Sequence, residues 1–293
     1  MFNMDDKIIN MTYTEGRTLY RSQLKILFNV NEVDFYYKAI LKSSFNIEPT
    51  ALALDPETLF SQAEQEFVYV ALQRLLKEEP LQYILGTISF RSIELQVTPA
   101  VLIPRPETEE LVAWILEDHK LIAHKQKVID FGTGSGCVAI SLAIEQPFFE
   151  VTALDIISEA IDLAKSNAQK NKAVVNFIQG DITSLNTLNF PINIIVSNPP
   201  YIPPSEKKEM KNNVLNNEPH LALFVPEDDP LLFYKCILEY AQKSLLPKGF
   251  VYFEINPYFL SEMKNLILST TNYSIKERKD IFGKVRMLRL QSH

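Results

Sequence analysis

The chain has 293 residues, 46% hydrophobic and 22% charged, with a formal net charge of −7. That balance suits a water-soluble globular protein of one large or two unequal domains and speaks against the basic surface used for nonspecific nucleic-acid binding. Cys137 and Cys236, the two cysteines, form neither a disulfide framework nor a metal-type cluster, as in a reducing cytosol.

The opening decapeptide, "MFNMDDKIIN", has Asp5 and Asp6 where a secretory signal would carry an apolar run. No apolar stretch approaches the roughly 18 residues of a membrane span, so the expectation is a cytoplasmic protein without membrane contact. The four histidines, His119, His124, His220 and His293, show no paired spacing and read as scattered surface residues.

Residues 1–80 read as helices. "NEVDFYYKAILKSSF" opens on a candidate cap, Asn31, with apolar Val33, Tyr36, Tyr37, Ile40 and Leu41 behind it. "SQAEQEFVYVALQRLLKEEP" starts with the Ser61/Glu64 spacing of a capping box, sets Phe67, Val70, Ala71 and Leu75 on one face, and is predicted to stop at Pro80. At Gly86 the pattern changes. "GTISF" and "IELQV", parted by Arg91-Ser92, predict a β-hairpin in a linker spanning residues 81–103.

From residue 104 to 293 strands alternate with helices. Pro106 suits a first helical position, and Glu107, Glu109 and Glu110 favour that end. Then follow "KVIDFG", "CVAISLAIEQ", "EVTALD", "SEAIDLAKSNAQKN", "VVNFIQGD" and "INIIVSNPP", and later "DPLLFYKCILEYAQKSLL" and "GFVYFEI". The end reads as one helix and the strands "YSIKERKD" and "VRMLRL". The fold class is therefore α/β: a doubly wound, mostly parallel sheet with an antiparallel C-terminal edge, plus a small all-helical N-terminal domain.

Three of only eight glycines fall in "GTGSG", as Gly132, Gly134 and Gly136, between the first strand and first helix of that sheet. Ligands of such folds bind at the carboxyl ends of the strands. Cys137 stands where a dinucleotide fingerprint needs glycine, and no phosphate loop is present. A G-x-G-x-G loop preceded by Asp130 suits a nucleoside without phosphates. Asp155, about 20 residues on, is placed for ribose hydroxyls, and Asp181 for an adenine amino group. Each acid alone is also what a strand end or cap carries. Three at successive strand ends around one glycine loop point to S-adenosylmethionine in a class I methyltransferase. Cys137 reads as a small residue starting a helix.

"IIVSNPPYIPP" ends the fourth strand. Methylating a planar NH2 group requires both N–H groups to be held while nitrogen is aimed at the methyl carbon. Asn198 offers a side-chain carbonyl. Pro199 and Pro200 offer backbone carbonyls in a preset conformation, and Tyr201 is expected to lie flat on the acceptor or face the cationic donor. Taken alone, an Asn-Pro pair is also a common strand-ending turn.

Together, "YILGTISF", "VLIPRPETEELV", "DFGTGSG", "GDI", "VSNPPYI", "NEPHLAL" and "DIFGKVRML" resemble the release-factor glutamine methyltransferases, from about residue 80 to the C-terminus. The helical N-terminal region is similar in size and character. The resemblance implies N5-methylation of the glutamine in the Gly-Gly-Gln motif of peptide chain release factors, with no direct nucleic-acid binding. It implies cofactor contacts from Gly132, Thr133, Gly134, Ser135, Gly136, Asp155, Asp181, Ile182 and Asn198. Asn198, Pro199, Pro200 and Tyr201 would hold the glutamine, and Arg105, Pro106 and Glu107 would line the site. The helical domain would recognise the protein substrate. Glu218-Pro219 matches a loop near the site. Against the family pattern, Glu254 is followed by Asn256 and Phe259 instead of the usual glycine and glutamine. Two rivals share features with this reading: a nucleic-acid amino-methyltransferase acting on adenine or guanine, and a non-catalytic binder that keeps the fold. A binder has no need of "GTGSG", Asp155 and "NPPY" together.

Overall fold

The computed structural model describes residues 11–184 and 190–293. The decapeptide carrying Asp5 and Asp6, read for its lack of a signal, lies outside the described residues. The chain divides into two compact units. One comprises residues up to Gly86 together with Asn212–Asn217; the other comprises Thr87–Lys211 and Glu218–His293.

The first unit is helical. Helix Tyr13–Leu24 begins with a capping box from Thr12 and Glu15, and helix Gln62–Leu75 with one from Ser61 and Glu64. Helix Val30–Phe45 is capped by Asn29, whose side chain accepts from Glu32 N–H, rather than by Asn31. Both asparagines suit the role; the register that buries Val33, Tyr37, Ile40 and Leu41 selects the earlier one. Likewise Val68, Ala71, Leu72 and Leu75 face the core of this unit, while Val70 is 52% exposed. The helix ends at Leu75 and not at Pro80; Glu78 adopts φ +57 in the intervening turn, and Pro80 caps the short helix Leu81–Leu85. The remote segment joins through Asn217, whose Nδ2 donates to the Glu78 carbonyl at 3.3 Å.

In the second unit, β1 (Thr87–Phe90) and β2 (Ile93–Gln96) form the expected hairpin, turning at Arg91-Ser92. Among the described residues, seven strands make the main sheet: β3 (Gln126–Phe131), β4 (Phe149–Asp155), β5 (Val175–Gln179), β6 (Ile192–Ser197), β7 (Leu245–Glu254), β8 (Ser274–Lys279) and β9 (Val285–Gln291). Their order is β5-β4-β3-β6-β7-β9-β8. The first five run parallel; β9 pairs antiparallel with both β7 and β8.

Successive residues of a strand point to opposite faces. Val128, Ile194 and Val196 join a core cluster containing Trp114 of helix Pro106–Asp118. Ile129, Phe131 and Ile195 join one containing Tyr234 of helix Leu232–Ser244. With both faces covered, the parallel strands read as near-continuous apolar runs. His119 is not a surface residue: it is buried within hydrogen-bond distance of the Tyr252 hydroxyl, and burial lowers its pKa to about 4. A neutral ring with an apolar body packs there among Phe149, Phe250 and Tyr252.

The order places β3 beside β6, so the chain direction across the sheet reverses between them. Phe131 is in register with Ser197, and Ser197 Oγ donates to the Phe131 carbonyl at 2.8 Å. The glycine loop and the Asn-Pro-Pro-Tyr segment therefore leave the sheet side by side, at the switch point where such sheets bind ligands.

Candidate active site

A cleft with a cavity volume of about 180 Å³ opens at this switch point. Gly132, Thr133, Gly134 and Ser135 form part of its wall, with Asp155, Asp181 and Ile182 along the wall and Asn198, Pro199 and Pro200 facing them. Arg105 also lines it.

The loop owes its shape to two glycines in particular. Gly134 has φ +54 with open space where a Cβ would point, so backbone alone borders the cleft. Gly136 is not on the wall. It has φ +83, and a Cβ there would meet Ile140 Cδ1 at 2.9 Å, so only glycine lets helix Cys137–Glu145 start against its neighbours. Cys137 opens that helix, buried, as expected.

Asp155 is nearly buried, and its two carboxylate oxygens accept from Gly134 N–H at 2.8 Å and Ile157 N–H at 3.0 Å. Oδ2 thereby fixes the glycine loop, while Oδ1 fixes the turn after β4, where the Ile156 N–H is a further donor to the carboxylate. Asp181 Oδ1 accepts from Thr183 N–H at 2.8 Å, a turn that fixes the carboxylate direction. Sequence reasoning missed Asn167, fully buried on helix Ser158–Lys170. Its Nδ2 donates to the carbonyls of Gln96 and Ser135, each at 2.9 Å, tying the hairpin end to the glycine loop. Its amide occupies a helix position that sequence patterning assigns to solvent or core, so no local signal marks it.

Around Asn198 the structure assembles residues distant in sequence. Asn198 Nδ2 donates to Thr108 Oγ1 at 3.2 Å, and Thr108 Oγ1 donates to Glu254 Oε2 at 2.7 Å. Tyr201, expected to lie flat on the acceptor or donor, is turned instead toward the core. Its ring packs with the cluster containing Tyr234, and its hydroxyl donates to Glu254 Oε1 at 3.3 Å. A fully buried carboxylate needs donors, and the tyrosine hydroxyl serves as one. Burial pushes Glu254 up to about 7. Glu107 is off the cleft wall; its charge acts on Glu254, opposing ionisation.

Glu218 is buried and has a positional role. One oxygen accepts from Ile103 N–H at 3.2 Å and the other from Arg105 at 2.5 Å, fixing the segment that leads into helix Pro106–Asp118. Asn256, a departure from the family pattern, accepts from Tyr258 N–H and donates to the Tyr201 carbonyl at 3.3 Å. It braces the end of the tetrapeptide.

Two family models match the chain: the PrmC N-terminal domain at residues 29–86 and the methyltransferase small domain at residues 108–220. A release factor glutamine methyltransferase of Flavobacterium psychrophilum is 39% identical over 94% of this chain and 97% of its own length. The protein of that name from Bacteroides thetaiotaomicron is 39% identical over 92% and 96%. The chain belongs to the release factor glutamine methyltransferase family. Among solved structures, the catalytic domain of hMettl16 superposes with a TM-score of 0.56 at 16% identity, covering 82% of this chain and 85% of that one. The Thermus thermophilus 16S rRNA methyltransferase RsmC, solved with AdoMet and guanosine, gives 0.53 at 16%, covering 71% and 50%. These two share the class I methyltransferase fold. No described helix of this family member is long and apolar enough to cross a membrane.

Asp130 lies under the glycine loop, buried, with Oδ2 accepting from Thr133 Oγ1 at 2.6 Å. Burial pushes its carboxyl up to about 7 from 3.8, and the Asp155 charge adds to the effect. Between those values the folded chain holds a proton that the unfolded chain has lost. Stability from this group is therefore complete below about pH 4 and declines as pH rises through about 7, by up to roughly 1.4 kcal/mol per pH unit. Asp130→Asn keeps an acceptor for Thr133 and should remove this decline. Denaturant unfolding at about pH 5 and pH 8 checks it; an identical pH dependence in both proteins would acquit Asp130.

Proposed function

We propose that the protein transfers a methyl group from S-adenosylmethionine to the side-chain nitrogen, N5, of the glutamine in the Gly-Gly-Gln motif of peptide chain release factors, in the cytoplasm. The observation that carries this reading is the pairing of β3 with β6. It brings a backbone-lined glycine loop and Asn198, Pro199 and Pro200 to one cleft, in a member of this family.

The cleft fits the cofactor. Open space over Gly132 and Gly134 admits a ligand against bare backbone. The Asp155 carboxylate on the cleft wall suits ribose hydroxyls, and Asp181 with Ile182 suits the polar edge and flat face of a base. S-adenosylmethionine, when bound, supplies an electrophilic methyl group on a sulfonium.

The chain's own residues supply position. Asn198 Oδ1 accepts one N–H of the glutamine amide and the Pro199 carbonyl accepts the other. Pro200 has no N–H to compete, and both prolines hold the carbonyls in place before substrate arrives. Holding both N–H groups turns the nitrogen toward the methyl group, and orientation supplies much of the rate. The methylated amide cation is strongly acidic and releases its proton without a dedicated base.

Incubating the protein with labelled S-adenosylmethionine and a release factor, duplex DNA or tRNA tests this. Label should enter the release factor alone and vanish when its Gly-Gly-Gln glutamine is replaced. Label in either nucleic acid would favour the amino-methyltransferase rival.

The helical unit is assigned to recognition of the protein substrate. It bears large exposed apolar side chains, Ile26 at 86% and Phe35 at 61%, and every cofactor-type feature lies in the other unit. Replacing Ile26 and Phe35 by Asp should raise KM for the release factor on the order of 100-fold or more, since each buried apolar side chain contributes about 1.5–3 kcal/mol. Cofactor affinity should not move. An unchanged KM would reassign these two side chains.

A further inference from the structure

We infer that Thr108 is a positioning residue that sets which way the Asn198 amide faces; the inference rests on the function proposed above and deepens it. The argument turns on hydrogen-bond direction. Thr108 is buried at 3% exposure and Glu254 at 1%. A threonine hydroxyl carries one proton and a carboxylate carries only acceptors. At 2.7 Å from Glu254 Oε2, the Thr108 proton points to the carboxylate. Thr108 Oγ1 is then left with lone pairs toward Asn198, 3.2 Å away, and only the NH2 end of the amide can meet them.

The NH2 end held by Thr108 leaves Oδ1 without a hydrogen-bond partner among the described residues, on a side chain that lines the cleft. The reversed amide would set carbonyl oxygen against hydroxyl oxygen and present donors to the cleft, where the glutamine amide also presents donors. With Glu254 ionised, the chain Asn198 to Thr108 to Glu254 thus has one sense only. Tyr201 reinforces it by donating to the other oxygen of Glu254.

The relay's anchorage is remote from its point of action. Thr108 lies in the first turn of helix Pro106–Asp118, whose start is held by Glu218 through Ile103 N–H and Arg105. Glu254 is the last residue of β7. The helix entry is hydrogen-bonded to Glu218 and the strand end is paired with β9, so the amide is oriented before substrate binds.

The test compares Thr108→Val, which removes the hydroxyl at equal volume, with Thr108→Ser, which keeps it. Assays run at about pH 8, above the value of about 7 to which burial raises Glu254. In single turnovers on a release factor with saturating cofactor, Thr108→Val should lower kcat on the order of tenfold or more. Cofactor Kd should stay near wild type, and Thr108→Ser should recover the rate. In an Asn198→Ala background, Thr108→Val should cost nothing further, as expected for residues acting through one another. An undiminished kcat in Thr108→Val, or an equal loss in the presence and absence of Asn198, would overturn the relay. If Thr108→Val does not fold, Thr108→Cys makes the same comparison with a weak acceptor. A readout that needs no substrate separates this inference from the proposed function. The Asn198 side-chain NH2 signals should shift in the ¹H–¹⁵N spectrum of Thr108→Val and stay in place in Thr108→Ser. Unmoved signals in Thr108→Val would exclude the relay whatever the enzyme methylates.

Discussion

Asn198→Ala should lower kcat for release-factor methylation by about 10²–10³, the usual loss when a preorganised polar group is removed from a reacting centre. The loss should fall on kcat with little change in cofactor affinity, because the side-chain oxygen is assigned to the acceptor amide. The Pro199 carbonyl would still hold one N–H, but the amide could rotate about it. Asn198→Asp tests the sense of the grip. An aspartate keeps an acceptor toward the cleft but cannot donate to Thr108, so two carboxylates would compete for one hydroxyl proton already given to Glu254. It should therefore be slower than wild type and destabilised relative to Asn198→Ala. Single-turnover methylation with saturating cofactor isolates the step. Near wild-type transfer by Asn198→Ala would reduce the tetrapeptide to a strand-ending turn.

Asp155→Ala should weaken S-adenosylmethionine binding by at least about 100-fold. Two charge-assisted hydrogen bonds at roughly 1.5 kcal/mol or more each account for that ratio. The same carboxylate also receives Gly134 and Ile157 N–H groups, so the substitution should cost about 1–3 kcal/mol of stability as well. Asp155→Asn retains one acceptor oxygen and should fall between. Calorimetric titration beside denaturant unfolding separates the two effects. Unchanged affinity with lowered stability would make Asp155 a brace for the loop and nothing more.

The double duty of Asp155 marks the boundary between what sequence makes legible and what it hides. A carboxylate at a strand end, a glycine loop before a helix and an amide followed by two prolines are local patterns. Their chemistry is carried by residue type and short spacing, so the glycine loop, the strand-helix alternation and the tetrapeptide can be read along the chain. The hairpin at Arg91-Ser92 and the helix start at Pro106 are local for the same reason. Helix faces are less secure: Asn29 and Asn31, or Val68 and Val70, satisfy the same short-range rules, and only packing of the helical core chooses between them.

What lies across the sheet was decided by tertiary structure. Thr108 and Glu254 are separated by 146 positions, and Thr108 and Asn198 by 90. No local pattern links Thr108, in a helix start, with Glu254, at a strand end. Burial changes both: a carboxylate removed from water must find donors, and a buried hydroxyl must choose one direction for its proton. Tyr201 and His119 follow the same logic, turned inward to partners that no local pattern announces. The sequence by itself determined the parts of the site, the α/β class and the family resemblance, because these rest on residue identity and periodicity. Which of those parts face the cleft, and which hold the others in place, was decided only when the reversal of strand order set β3 beside β6 and closed the core over the groups left behind it.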